Sequence, residues 1–148
     1  MLRRFDHSMI VVRDIDDAVR KYEKLGLRVA KWETVDNGGL VRQAFLRTGP
    51  DTFIELMEPL EGTTNDTARF LAKKGQGVYA MTYQVDNLQA TIERLSEEGI
   101  ELIGVGAEPL KGGSLPPGGR NLVWVHPRHT PGVYLNLQDT DCYPDLEL

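Results

Sequence analysis

Apolar and polar positions near the start of the chain follow two different periods. Residues 7–12 form a short, mostly apolar run typical of a buried strand. Asp14 follows as a candidate helix N-cap, and apolar side chains then recur at helical spacing as far as Leu25. Gly26 is a residue type at which helices commonly end. The pattern therefore predicts a strand followed by an amphipathic helix.

The same arrangement returns 73 positions later, where residues 85–102 repeat the pattern of residues 12–29. Gly99 then corresponds to Gly26, and Asn87 is the predicted cap of the second helix. Strands before the helices are predicted at 7–12 and 77–85. Those after them are predicted at 27–31, 40–47 and 52–57, and at 100–105, 121–126 and 133–138. Each copy thus reads strand, helix and three strands, which predicts an α+β fold of two tandem βαβββ units.

Two stretches lie outside the repeat. Residues 61–75 link the copies, and residues 67–74 within them are predicted to form a short amphipathic helix. Residues 104–119 are rich in Gly and Pro, which predicts either a binding loop or a surface hairpin. With 148 residues we expect one domain, with unit one at about 4–60 and unit two at about 76–140.

Composition removes several functional classes. The net charge of −5 argues against a nucleic-acid surface, and no apolar run approaches the roughly 18 residues of a membrane span. The single cysteine, Cys142, cannot form an internal disulfide, so a reducing compartment and a cytoplasmic location are expected.

Strand alternation places the candidate chemistry on one face. His7 in the first strand and Glu55 in the fourth point away from the predicted helix side. The shift of 73 carries His7 onto Ala80, and the match of residues 53–56 with 134–137 carries Glu55 onto Asn136. One copy therefore has side chains able to handle protons or metals, and the other has lost them.

The chain resembles the vicinal oxygen chelate superfamily, which includes glyoxalase I, methylmalonyl-CoA epimerase, ring-cleaving dioxygenases and metal-free antibiotic-binding proteins. The epimerase and glyoxalase-like branch is the most similar. The segments that carry the resemblance occur in the family's order: Asp6-His7, residues 54–60, residues 70–78, residues 85–88, and His126-Pro127 followed by Gly132-Val133. The resemblance implies a curved mixed sheet around a central cavity and a homodimer.

The resemblance also implies a divalent metal site at His7, Glu55, Ala80 and Asn136. His and Glu are suitable ligands for Zn, Mn, Co or Fe, whereas Ala cannot ligate and Asn is a poor replacement for a carboxylate. An altered or absent metal site is therefore expected. The family's epimerases also place a carboxylate on the strand at 40–47, where Arg42 is expected to stand.

Three functions fit these residues. The first is a small-molecule isomerase or lyase in which His7 and Glu55 abstract a proton next to a carbonyl and Arg42 holds a carboxylate or enolate. The second keeps a weak metal site, completed by substrate, water, Tyr79 or Gln138. The third is a metal-free binding protein whose cavity has aromatic walls, with Trp32 among them.

We expect the enzyme, acting on a small oxo or carboxylate compound, with the binding protein as the alternative. The predicted catalytic residues are His7, Glu55 and Arg42. The predicted substrate contacts are Asn136, Tyr134, Phe53 and Trp124. Two non-catalytic interpretations stay open, namely a hydrogen-bonded structural His7 and an Arg42 paired with Asp36 or Glu33.

Overall fold

The computed structural model describes residues 2–36, 38–104 and 122–139. In these ranges each copy of the repeat has the predicted order of a strand, a helix and three strands. The strands are β1 (Leu2–Val11), β2 (Val29–Asp36), β3 (Leu40–Gly49), β4 (Thr52–Pro59), β5 (Gly77–Val85), β6 (Leu102–Ile103), β7 (Leu122–Val125) and β8 (Tyr134–Gln138). The helices are α1 (Ile15–Lys24), α2 (Asp66–Lys74) and α3 (Leu88–Glu97).

The described residues form two compact units, which we call the N-terminal unit (7–79) and the C-terminal unit (2–6 with 80–139). Within the N-terminal unit the strand order is β2-β3-β4-β1, and within the C-terminal unit it is β5-β8-β7-β6. In both units the first and last strands pair in parallel, and the other strand pairs are antiparallel. The predicted α+β fold with two βαβββ units is confirmed.

The internal repeat extends to the register of the parallel strands. In the N-terminal unit His7 lies opposite Phe53, and Glu55 lies opposite Met9. In the C-terminal unit the corresponding pairs are Ala80 with Tyr134, and Asn136 with Thr82. The two units therefore place equivalent side chains at equivalent positions of the ladder, although the chemistry of those side chains differs.

Local signals in the sequence fix the ends of α1 and α3. The Asp14 side chain accepts a hydrogen bond from the backbone N–H of Asp17 at 2.9 Å, which caps α1. Asn87 caps α3 in the same way, at 2.8 Å from the N–H of Ala90. Gly26 follows α1 with a φ of +93°, a conformation that glycine adopts without strain.

Each unit buries one helix against one face of its strands. In the N-terminal unit, Ile15 and Val19 of α1 pack with Leu46 and Leu56. In the C-terminal unit, residues of α3 pack with β7 and β8 around Ile92. Burial of such aliphatic side chains stabilises a fold by about 1.5–3 kcal/mol each.

Helix α2 packs on the other face of the N-terminal unit. Its Phe70 and Leu71 contact a cluster that includes Val11 and Met57, and Met57 points away from α1 because it alternates with Leu56. The helix predicted at 67–74 is therefore confirmed, and it covers part of the face that carries His7 and Glu55.

Some boundaries differ from the prediction. Strand β2 reaches Asp36, because pairing with β3 carries it through residues that alternate between half-buried and exposed. Residues 105–119 of the Gly/Pro-rich loop and Cys142 lie outside the described residues. Within the described part of the chain, no helix is both long and apolar enough to cross a membrane.

Candidate functional site

His7 and Glu55 meet on neighbouring parallel strands. His7 Nε2 lies 3.2 Å from Glu55 Oε2, and the two side chains are 3% and 0% exposed. The register offsets the residues by one alternate position along β1 and β4, so their side chains approach each other diagonally on one face. The structure thus brings together the two residues that the sequence singled out. A buried carboxylate beside an imidazole is suited to holding or moving a proton.

Gln43 of β3 completes this cluster, and sequence reasoning missed it. Its Nε2 donates a hydrogen bond to Glu55 Oε1 at 2.7 Å, and this contact is buried. Gln43 points toward Glu55 because β3 and β4 pair with Gln43 opposite Met57 and Phe45 opposite Glu55. The carboxylate of Glu55 is therefore held on one oxygen by an amide and faces an imidazole with the other.

Two buried acceptor atoms of this cluster have no hydrogen-bond donor among the described residues. They are Glu55 Oε2 and Gln43 Oε1. His7 Nε2 is close enough to Glu55 Oε2 for an ion pair, but it is not aligned for a hydrogen bond. An acceptor without an aligned donor is costly to bury, and here it lies where a proton could be received.

Phe53 restrains the imidazole of His7. The two rings stack with centroids 4.3 Å apart and planes inclined by 16°. Phe53 in turn meets Phe45 edge-on, with centroids 5.9 Å apart. The predicted contact of Phe53 with substrate stays a prediction. What the structure shows is a wall that limits rotation of the His7 ring.

Arg42 does not join His7 and Glu55. Its guanidinium makes two hydrogen bonds to Asp16 of α1, at 2.7 and 2.9 Å, and lies 4.7 Å over the ring of Trp32. Asp16, rather than Asp36 or Glu33, is therefore its partner in this structure. The expectation that Arg42 stands beside the proton-transfer pair needs correction, because Gln43 is the β3 residue that reaches Glu55.

The Arg42–Asp16 pair is electrostatically coupled. The hydrogen bond from Arg42 is the largest effect on Asp16 and lowers its pKa; desolvation opposes it, and the charges of Arg42 and Arg20 add smaller lowering effects. The same hydrogen bond raises the pKa of Arg42. Both side chains are substantially exposed, so this pair is a surface feature of the α1 side.

The predicted contact residues of the C-terminal unit lie together on β7 and β8. Asn136 is buried, and its Nδ2 donates to the carbonyl oxygen of Val123 at 3.4 Å. Trp124 and Tyr134 meet edge-on with centroids 6.1 Å apart. These residues share a neighbourhood within their unit, and their roles in ligand binding stay predictions.

A second buried polar cluster lies in the C-terminal unit, and sequence reasoning missed it. The carboxylate of Asp6 accepts hydrogen bonds from Gln84 at 3.2 Å and from Gln138 at 3.4 Å, and it pairs with Arg4 at 2.9 Å. Gln84 and Gln138 lie opposite each other in the β5–β8 ladder. That register, once known, indicates their proximity.

The metal implied by the family resemblance can be tested against these donors. The two strong donors are His7 Nε2 and Glu55 Oε2, because Ala80 has no ligating atom and Asn136 offers a neutral amide. Among the described residues, no group of three or more His, Cys, Asp or Glu side chains could hold a metal ion. Catalytic zinc sites use three protein ligands, so the described donors do not fit such a centre.

Comparisons with known proteins agree with the fold. The chain is 33% identical over 141 residues to the ethylmalonyl-CoA/methylmalonyl-CoA epimerase of Cereibacter sphaeroides, which covers 93% of this chain and 98% of that protein. It superimposes on the crystal structure of methylmalonyl-CoA epimerase from Mycobacterium tuberculosis with a TM-score of 0.72 and 28% identity, over 93% of this chain and 88% of that one.

A methylmalonyl-CoA epimerase in complex with methylmalonyl-CoA and NH4+ superimposes with a TM-score of 0.74 and 27% identity, over 96% of this chain and 97% of that one. These relatives confirm the prediction of a small-molecule enzyme of the epimerase-like, isomerase type. The sequence profile of the Glyoxalase/Bleomycin resistance protein/Dioxygenase superfamily matches residues 6–114. The chain therefore belongs to this superfamily, which is the vicinal oxygen chelate family that its sequence resembles.

Proposed function

We propose that this protein is an epimerase of a short-chain acyl-CoA thioester, and that it inverts the carbon next to the thioester carbonyl. The observation that carries the proposal is the buried cluster of His7, Glu55 and Gln43. The likeness to epimerases of methylmalonyl-CoA and ethylmalonyl-CoA supports the substrate class.

The reaction begins with removal of a proton from the α-carbon, which is bonded to the thioester carbonyl. The electron pair left behind moves into the carbonyl and forms an enolate. Water then delivers a proton to the opposite face of that carbon, the enolate electrons return to form the new C–H bond, and the centre is inverted. His7 and Glu55 receive the proton together, because His7 Nε2 lies 3.2 Å from Glu55 Oε2. Burial strengthens this pair, since water does not compete for its atoms.

Gln43 acts as a positioning residue in this proposal. Its amide occupies Oε1 of Glu55, so the carboxylate is fixed with Oε2 toward His7. A charge-assisted hydrogen bond of this kind is roughly twice as strong as a neutral one. Phe53 completes the arrangement by restraining the imidazole ring.

The metal site of this protein is altered in the proposal. Only two strong donors are present at the four positions that the family resemblance implies, so proton transfer is assigned to the protein's own groups. Elemental analysis of purified protein tests this point. Stoichiometric metal retained after dialysis would contradict it.

The experiment is an α-proton exchange assay in D2O with methylmalonyl-CoA and ethylmalonyl-CoA, followed by NMR. We expect exchange and inversion by the wild type, and a loss of at least about a hundredfold in His7→Ala and Glu55→Gln, the range typical of general acid–base groups. His129→Ala is the matched control, because this histidine lies in a turn and accepts the N–H of Glu101. Full activity in either cluster variant would overturn the proposed mechanism.

A further inference from the structure

Three exposed cations lie on two segments that approach each other, the one after β1 and the end of α2, and we call them the basic cluster: Arg13, Lys73 and Lys74. The Arg13 guanidinium lies 3.5 Å from the position that a Cβ on Gly75 would take. The backbone N–H of Arg13 also donates to the side chain of Gln76 at 2.9 Å. Arg13 is therefore fixed beside the residue that directly follows Lys74.

The basic cluster has no carboxylate partner among the described residues. Several other cations of the N-terminal unit pair with acids: Lys21 with Asp17, Lys31 with Glu33, Arg42 with Asp16, and Arg69 with Asp66. The Lys74 ammonium instead lies 5.7 Å over the ring of Phe70. In a chain of net charge −5, the basic cluster thus contributes three positive charges that no described carboxylate neutralises.

The dipole of α2 does not account for the cluster. Lysines in the last turn of a helix favourably meet its negative end, which explains Lys73 and Lys74. Arg13 belongs to a different element and receives no benefit from being in that helix. Its position beside two lysines is mildly repulsive, and an anion bound among the three would relieve that repulsion.

The location suits one end of a long substrate. Helix α2 packs through Phe70 and Leu71 on the same face of the N-terminal unit that carries His7 and Glu55. Arg13 follows His7 by six residues, which in extended chain is at most roughly 20 Å. The pantetheine arm of coenzyme A separates the thioester carbonyl from the phosphates by a comparable length.

We propose that the basic cluster binds the phosphate groups of the substrate's coenzyme A moiety. This inference rests on the proposed function, because it assigns the anionic end of that same substrate. The Arg13 guanidinium can hold phosphate oxygens with two parallel hydrogen bonds, and the lysines add charge without fixed geometry. The thioester end then lies toward His7 and Glu55.

The test measures binding of coenzyme A itself, which cannot react, by calorimetry at low and physiological salt. In the triple variant Arg13→Gln, Lys73→Gln and Lys74→Gln we expect the Kd to rise by about tenfold, since exposed charge contacts are individually weak but three of them are removed. Pantetheine, which lacks phosphates, should bind the wild type and the variant equally. A control with the same change in charge is made on α1: Arg20→Gln, Lys21→Gln and Lys24→Gln.

Several results would overturn the inference. They are a wild type that does not bind coenzyme A, a triple variant that binds it as tightly as the wild type, and a control that loses as much affinity. Competition with inorganic pyrophosphate separates the two sources of phosphate, because equal affinity for pyrophosphate and coenzyme A would assign a free-phosphate site. A wild type that binds coenzyme A but exchanges no acyl-CoA proton overturns the proposed function, while the binding result still decides the role of the cluster.

Discussion

Replacing Gln43 by Leu tests the central contact of the candidate site. The substitution keeps a side chain of similar size but removes the donor 2.7 Å from Glu55 Oε1, at a carboxylate that is fully buried. Loss of a hydrogen bond to a charged group costs about 1.5–3 kcal/mol. Removing the unpaired Gln43 Oε1 returns about 1 kcal/mol. We therefore expect a net destabilisation of about 0.5–2 kcal/mol.

Urea unfolding followed by circular dichroism measures this difference, and a thermal scan should show a Tm lower by about 2–6 °C for a domain of this size. Gln76→Leu is the control, because Gln76 is an exposed glutamine whose side chain also makes one hydrogen bond. It should change stability by less than about 0.5 kcal/mol. Equal stability of Gln43→Leu and the wild type would refute the assigned contact.

Activity gives a second measure that a purely structural contact would not move. Gln43→Leu leaves the Glu55 carboxylate without the donor that fixes its orientation, so kcat should fall by about tenfold while KM stays near the wild-type value. Gln43→Glu should also lower kcat, because a carboxylate cannot donate the same hydrogen bond. An unchanged kcat in both variants would remove Gln43 from the mechanism.

Further outcomes follow from the other contacts. Arg42→Gln should let the pKa of Asp16 rise toward 3.8 in an NMR titration. Because the pKa of Asp16 is lowered in the folded protein, its pair with Arg42 stabilises the fold at pH values above 3.8. This contribution is lost as the pH falls through the lowered pKa. An unchanged titration would contradict the pairing. Asp6→Leu removes the acceptor shared by Gln84 and Gln138, and urea unfolding should show a loss of stability of about 2 kcal/mol. Asp6→Asn should lose less. Equal stability of the wild type and both variants would contradict the cluster. Turnover should survive dialysis against a chelator, and a complete loss that added Mn or Zn restores would show that the two-donor interpretation is wrong.

Much of the fold could be read from the sequence because its signals are local. The caps Asp14 and Asn87 and the glycines that follow the helices mark the ends of α1 and α3 without reference to the rest of the chain. The equivalence of Glu55 with Asn136 follows from matching apolar neighbours, and the observed register bears it out.

The choice between Arg42 and Gln43 could not be made in this way. Strand β3 is buried on both faces over 43–46, so its sequence has no clear alternation between apolar and polar positions. If the alternation is misjudged by one residue, a side chain is assigned to the wrong face of the strand. Only the pairing of β3 with β4, which sets Gln43 opposite Met57, decides which residue reaches Glu55.

The parallel strand pairs of the two units have the same register, so the site of one unit can be built into the other by substitution at equivalent positions. Ala80 and Asn136 occupy the ladder positions of His7 and Glu55 in a backbone that has kept its geometry while the side chains diverged. Such a scaffold is a ready host for design: Ala80→His combined with Asn136→Glu should build a second imidazole–carboxylate pair in the C-terminal unit. Ala80 is fully buried, so a small neighbouring side chain must be introduced to make room. The two units thus offer equivalent ladder positions, of which only those in the N-terminal unit carry an imidazole and a carboxylate.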